Sequence, residues 1–177
     1  GVAGMIELIR GELEGQLALR SDTPARCYQE AFHRLLGRRG PDGVNRIIRR
    51  AVLRARQPPP AGAELEAAEA GKSEVCNTLE RDVGGWALNP AVESLGTILA
   101  EYPEQFGKTL LTSNFDPLVE VSLRKAGAEG VRTFTLYTDA SLSWSRGDGC
   151  NVVHFHGYWS DSDTFHMPGQ LQHARPQ

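Results

Sequence analysis

A mixed α/β fold is predicted for this chain, a parallel sheet with flanking helices behind a helical N-terminal part. Three observations predict it. Apolar residues in the first half recur at helical spacing, as in Val44, Ile47, Ile48, Ala51 and Val52. From Asn89 onward strand, helix, strand, loop and strand follow in short succession, which predicts right-handed parallel connections. Two of the strands, Thr109-Leu110-Leu111-Thr112 and Val152–Phe155, end abruptly in polar side chains, as strands do at the carboxyl edge of an open parallel sheet.

Taken in order, Met5, Leu8 and Ile9 make a short apolar stripe near the start. Ser21-Asp22-Thr23-Pro24 is a helix entry, a capping side chain followed by Pro in the first turn. That helix is expected to run to about Leu36 and to close at Gly37; Pro41-Asp42-Gly43 punctuates before the next. Gln57-Pro58-Pro59-Pro60-Ala61-Gly62 breaks the second helix outright. Residues 57–88 then read as a linker, an insertion or a mobile flap with one short helix. They separate a helical part, 1–56, from an α/β part, 89–177. Asn89-Pro90 begins a helix with Val92, Leu95, Ile98 and Leu99 as its buried stripe. Asp116-Pro117 opens another, with Leu118, Val119, Ser122, Leu123 and Ala126 inward and Gly127 at its end. Val131 to Thr138 is a strand, and a polar loop from Trp144 to Gly149 leads to Val152–Phe155.

Length and composition bound the function. A chain of 177 residues, 40% apolar and 23% charged, fits one globular domain with a real core. A net charge of −3 gives no overall pull toward nucleic acid or anionic membrane. Arg34, Arg38, Arg39, Arg46, Arg49, Arg50, Arg54 and Arg56 make one stretch locally basic. Without interleaved aromatic residues for base stacking, this reads as a solvated helix face before it reads as a phosphate-contacting surface. Cys27, Cys76 and Cys150 are odd in number and far apart, which argues against a disulfide framework and a cysteine zinc site. A reducing cytoplasm is the expected compartment, with no membrane span and no signal peptide. The chain ends, Gly1-Val2-Ala3-Gly4-Met5 and Arg175-Pro176-Gln177, look like cuts in a longer protein.

Asn114 and His156 are the residues on which chemistry would rest. Asn114-Phe115-Asp116 has a plain reading as a helix cap, yet a cap at a strand edge also faces the place where ligands collect. His156 follows an apolar strand and precedes Gly157, which lets a ligand or backbone approach closely. An imidazole near its ordinary pKa is the usual general base at neutral pH. His154, two residues earlier, would share a side with His156 on a strand; a two-histidine metal site lacks a suitably spaced carboxylate. Asp161-Ser162-Asp163-Thr164-Phe165-His166 reads as a turn built on Asx side chains.

Thr112-Ser113-Asn114-Phe115-Asp116 and His156-Gly157, set in a parallel α/β pattern, resemble the sirtuin-like family of NAD-consuming domains. In sirtuins a Thr-Gln-Asn-Ile-Asp stretch and a His-Gly pair line the pocket for nicotinamide and its ribose. The longer strings Leu111 to Glu120 and His154-Phe155-His156-Gly157-Tyr158-Trp159 look closer to a bacterial branch found in anti-phage defence proteins, often with further domains. Asp163-Thr164-Phe165-His166 and Gln170-Leu171 through Arg175-Pro176 fit it too. The resemblance covers Asn89 to Pro176 and is faint before that.

The resemblance implies a Rossmann-like, incomplete sirtuin-like domain over 1–177. It implies an NAD hydrolase with water as acceptor, in which Asn114 orients a ribose hydroxyl, the carboxamide or the attacking water. Asp116 shapes the pocket and His156 is the general base. Thr112, Ser113, Asn114, Asp116, His156 and Gly157 would contact NAD. The family's Gly-Ala-Gly-x-Ser phosphate loop has no match, so it is expected before Gly1. The four-cysteine zinc module of the lysine deacylases is also missing, so no zinc is expected. Attached sensor domains and a homo-oligomer are the expected partners. The rival outcomes are a protein deacylase or ADP-ribosyl transferase, and a non-catalytic module that binds NAD or ADP-ribose.

Overall fold

The computed structural model describes residues 1–135, 149–160 and 164. Seven helices and three strands are present among them. Helix α1 (Val2–Glu12) lies against α2 (Pro24–Leu53), and α3 (Gly62–Glu69) and α4 (Ser73–Arg81) follow. After a single 3-10 turn at Val83–Gly85 come α5 (Pro90–Glu101) and the short α6 (Pro103–Phe106). The α/β part then runs β1 (Thr109–Thr112), α7 (Leu118–Lys125), β2 (Arg132–Thr135) and β3 (Asn151–His154).

Local chemistry sets the helix starts. Thr23 takes extended dihedrals and its hydroxyl accepts from Arg26 N, with Pro24 in the first turn. Asn89 does the same for α5, its Oδ1 accepting from Val92 N at 3.0 Å. Helix α2 does not close at Gly37 as expected. It runs three residues further, to Gly40, where φ of +67° breaks the helical path and Pro41 restarts it. A left-handed residue followed by proline stops a helix more surely than a helical glycine does.

Residues 57–88 are a packed part of the core and hold two helices, where one had been expected. Gln57 N donates to Gly85 O and Ala87 N to Ala55 O, so the segment leaves and returns at one place. Ala68, Cys76, Leu79 and Trp86 from it pack with Val52, Leu53, Val121, Tyr158 and Trp159. The arginine stretch is likewise drawn into internal contacts. Arg50 pairs with Glu69 and Glu12, Arg34 with Glu30, and Arg39 lies near Glu12 and Glu14. Arg56 is buried over the Trp86 ring and donates to Asp82 and to the Leu79 carbonyl. Arg49 donates to the carbonyls of Trp159, Ser160 and Glu69.

The sheet is all parallel in the order β1-β3-β2, with Thr112 opposite His154 and Thr135 opposite His154 on the other side. Strand β3 ends one residue before the expected Phe155. The β2 segment expected to reach Thr138 is described to Thr135; 136–148, with the loop around Trp144, lie outside the described residues. Period-two alternation puts Leu110, Thr112, Thr133, Val152 and His154 on one face. That face packs on α5 and α7 through Leu99, Val119 and Leu123. Helix α7 is buried at five successive positions, Val119 to Leu123, whereas Ala126, expected inward, is exposed. Among the described residues no helix is long and apolar enough to cross a membrane.

Helices α5 and α7 touch at Gly96, where a Cβ would overlap the Ser122 side chain and lie 2.7 Å from its main-chain carbon. The Ser122 hydroxyl also donates to Val92 O at 2.7 Å. Gly96→Ala therefore forces the helices apart. The overpacking costs about 1–3 kcal/mol and outweighs the helix-propensity gain of about 1 kcal/mol. A lower chemical-denaturation midpoint is the expected result, and an unchanged or raised midpoint would contradict this packing.

Candidate functional site

Strands β1 and β3 are neighbours, so their carboxyl ends open side by side. The parallel ladder continues past both: Phe155 N donates to Thr112 O at 3.1 Å, and Trp159 N donates to Phe115 O at 2.9 Å. These two bonds stitch the 113–117 loop to the 155–159 turn. Asn114 and His156 thus lie on adjacent segments at one sheet edge.

Each side chain there has a local cause. The Thr112 hydroxyl accepts from Asn114 N at 3.1 Å, an ST-turn that folds the chain sharply out of the strand. Ser113 and Asn114 are exposed in consequence. Phe115 points inward and packs against both the α1–α2 core and the Trp159 cluster. Asp116 accepts from Leu118 N through Oδ1 at 3.1 Å, so it caps α7 from one residue further out than expected. His156 is half-buried, with its ring edge-on to Phe155 at 4.7 Å. Gly157 has φ of +88°, which a side chain would strain. Of the Asp161–His166 cluster only Thr164 is described; its N–H and hydroxyl both donate to Asn45 Oδ1.

Beneath this edge lies a buried polar network that sequence reasoning missed. His154 and Glu120 are both 0% exposed, with Nε2 to Oε1 at 2.7 Å. On its other side the ring donates from Nδ1 to the Asn114 carbonyl, an acceptor only, which fixes a proton on Nδ1. Thr133 donates to the same Glu120 oxygen, and Glu120 Oε2 has no partner among the described residues. The Tyr158 ring lies 4.6 Å from His154, and Tyr158 OH and Trp159 Nε1 both donate to Glu80 Oε1. Arg124 approaches Glu80 at 3.8 Å.

Charge burial displaces the titrations. For His154 burial pushes the pKa down, but the Glu120 hydrogen bond and charge, the Asn114 carbonyl and Asp116 more than offset it, and the net direction is up. Burial raises Asp116 and Glu80, with Glu120's charge adding to both. Tyr158 is pushed far up by burial and by the two glutamates.

No family model, curated protein or solved structure matches this chain.

The edge presents an exposed carboxamide, a half-buried imidazole and a buried glycine with positive φ, with a capped helix start behind them. Such a set can orient hydroxyls and accept a proton. His154 is a poor metal ligand, because both its ring nitrogens are engaged and strand β3 ends before His156 can share its face. Among the described residues no group of three histidine, cysteine, aspartate or glutamate side chains is arranged to hold a metal. A surface depression lined by Leu13, Glu14, Gln16, Arg38 and Arg39 shares no residue with the edge. The signal for the missed network was Val119-Glu120-Val121, a carboxylate flanked by apolar residues on a helix with no wet side.

The raised His154 pKa carries a stability consequence. A histidine whose folded pKa lies above its unfolded value of 6.5 stabilises fully below pH 6.5, and that contribution is lost as pH rises through the folded value. The melting temperature should fall from pH 6 to 8.5 in the native chain and fall less in His154→Gln. Parallel curves for the two would show that His154 does not titrate in this way.

Proposed function

We propose that this chain carries the residues of an NAD-cleaving site, as a sirtuin-like NAD hydrolase that serves as an effector in bacterial anti-phage defence. The observation that carries the proposal is the pairing of the Asn114 loop and the His156 turn at the carboxyl edge of adjacent parallel strands, where ligands of open α/β sheets bind. The resemblance of both strings to the sirtuin-like pocket supports the choice of NAD.

The chemistry suits the groups. Water attacks the anomeric carbon of the nicotinamide ribose, the carbon–nitrogen bond breaks, and its electron pair leaves with nicotinamide. His156 takes the proton from the water or from a ribose hydroxyl. Asn114 holds the hydroxyl or water in line, and orientation of this kind accounts for much of the rate. Asp116, occupied with the Leu118 amide, shapes the loop, and Thr112, Ser113 and Gly157 line the approach. Nicotinamide leaves as a neutral base, so no strong acid is needed beside it.

Nicotinamide release by the full-length protein is the test. His156→Ala should lower it by about 10²-fold or more, the usual worth of a general base, and Asn114→Ala should lower it as well. Equal release by native protein and His156→Ala would sink the proposal. Tight NAD binding with no turnover in the native protein would point instead to a binding module.

A further inference from the structure

We propose that His154 is a positioning residue that aims the Asn114 carboxamide across the sheet edge by holding the main-chain carbonyl of Asn114. The inference rests on the NAD-cleaving reading of the same edge and adds a residue to it.

Asn114 is exposed, and among the described residues none of its side-chain atoms is hydrogen-bonded. The main chain therefore sets the direction of its Cα–Cβ bond, and so the region the carboxamide can reach. Two tethers do this: the N–H donates to Thr112 Oγ1, and the carbonyl accepts from His154 Nδ1. Thr112 is the last residue of β1 and His154 the last of β3, opposite each other in register. The tethers thus come from two neighbouring strands and fix both peptide planes flanking the Asn114 Cα.

The imidazole can do this because it is itself clamped. Glu120, from α7, engages Nε2, and the Tyr158 ring packs beside it from the turn after β3. Glu120 is held in turn by Thr133 of β2. The path from β2 to Asn114 thus runs through two fully buried side chains, Glu120 and His154. Packing alone does not call for a histidine here, since Val152 and Val153, the two middle residues of β3, are buried with apolar side chains. A buried imidazole is costly unless both nitrogens are used, and the one use on its outer side is the Asn114 carbonyl.

Two substitutions divide the roles of the ring. Asn places an amide nitrogen near the position of Nδ1 and keeps a donor for the Asn114 carbonyl. Gln places its amide near Nε2, keeps Glu120 satisfied and lets the Asn114 carbonyl go. If His154 positions Asn114, His154→Gln should lower kcat for nicotinamide release about 10-fold or more, as a small misplacement of a reacting group does. Its KM should stay within about threefold, because the loss falls on orientation and not on binding. His154→Asn should hold kcat within about threefold. If His154 only satisfies Glu120, the order reverses and Gln is the milder change. Glu120→Gln combined with His154→Asn removes the buried carboxylate, so the Asn arm remains readable should the single variant fold poorly.

A second readout does not depend on turnover. Backbone 15N order parameters at Ser113 and Asn114 should drop toward about 0.6 in His154→Gln and stay near about 0.85 in His154→Asn. Native-like order and kcat in His154→Gln would overturn the assignment. If no form releases nicotinamide, native protein included, the NAD reading fails and the order parameters alone decide whether His154 positions the loop.

Discussion

Trp159 sits where the helical half meets the sheet, and four separate contacts converge on it. Its N–H donates to Phe115 in the loop after β1, and its carbonyl accepts from Arg49 of α2 at 2.8 Å. Its indole N–H donates to Glu80 of α4, and its ring meets Trp86 edge-on at 6.0 Å. The side chain is fully buried. A large ring contributes most of its stabilisation through area removed from water, but these polar ties add direction to it. They set how far the 155–159 turn sits from the α2–α4 layer, and through Phe115 they set the height of the Asn114 loop. Glu80 accepts two donors at once on one oxygen, which offsets part of the burial that raises its pKa.

The edge residues therefore owe their placement to side chains outside the edge. Asn114 and His156 are on short connecting segments, which alone would be loose. One segment is held by Thr112, His154 and the Asp116 cap, the other by Trp159 and the ladder. Exposed polar groups on loops that a rigid scaffold fixes are the usual form of a binding edge. The buried charge below, with Glu120 against His154 and Glu80 near the half-buried Arg124, is a cost that an apolar core would avoid.

What could be read from the sequence was local. Thr23-Pro24 and Asn89-Pro90 announce their helices because a cap and a first-turn proline act over three residues. The ends of β1 and β3 were legible because apolar runs stop where the backbone leaves the sheet. The 57–88 segment was not, since what holds it is Arg56 stacked on Trp86 and Ala68 against Cys76, contacts that only the fold brings together. That the Asn114 loop and the His156 turn open at one sheet edge was legible from the edge rule, because both follow apolar strands. The His154–Glu120 pair was not, because a buried charge looks like a surface residue until its partner is in place. The break falls at Gly40 and not at Gly37 because the glycine there takes a positive φ and Pro41 follows it.

The strand order has a consequence for how the molecule comes into being. Among the described residues β1 and β2 share no hydrogen bond, and each pairs with β3, the last of the three in the chain. A nascent chain that has emerged through Thr135 holds β1 and β2 without the strand that joins them. Closure then spans about 40 residues from β1, a long-range step that loop entropy makes slow. The Asn114 carbonyl has no imidazole to meet until the same moment. A truncated or half-synthesised copy therefore has no assembled edge, and whatever the edge does begins only when translation has passed β3.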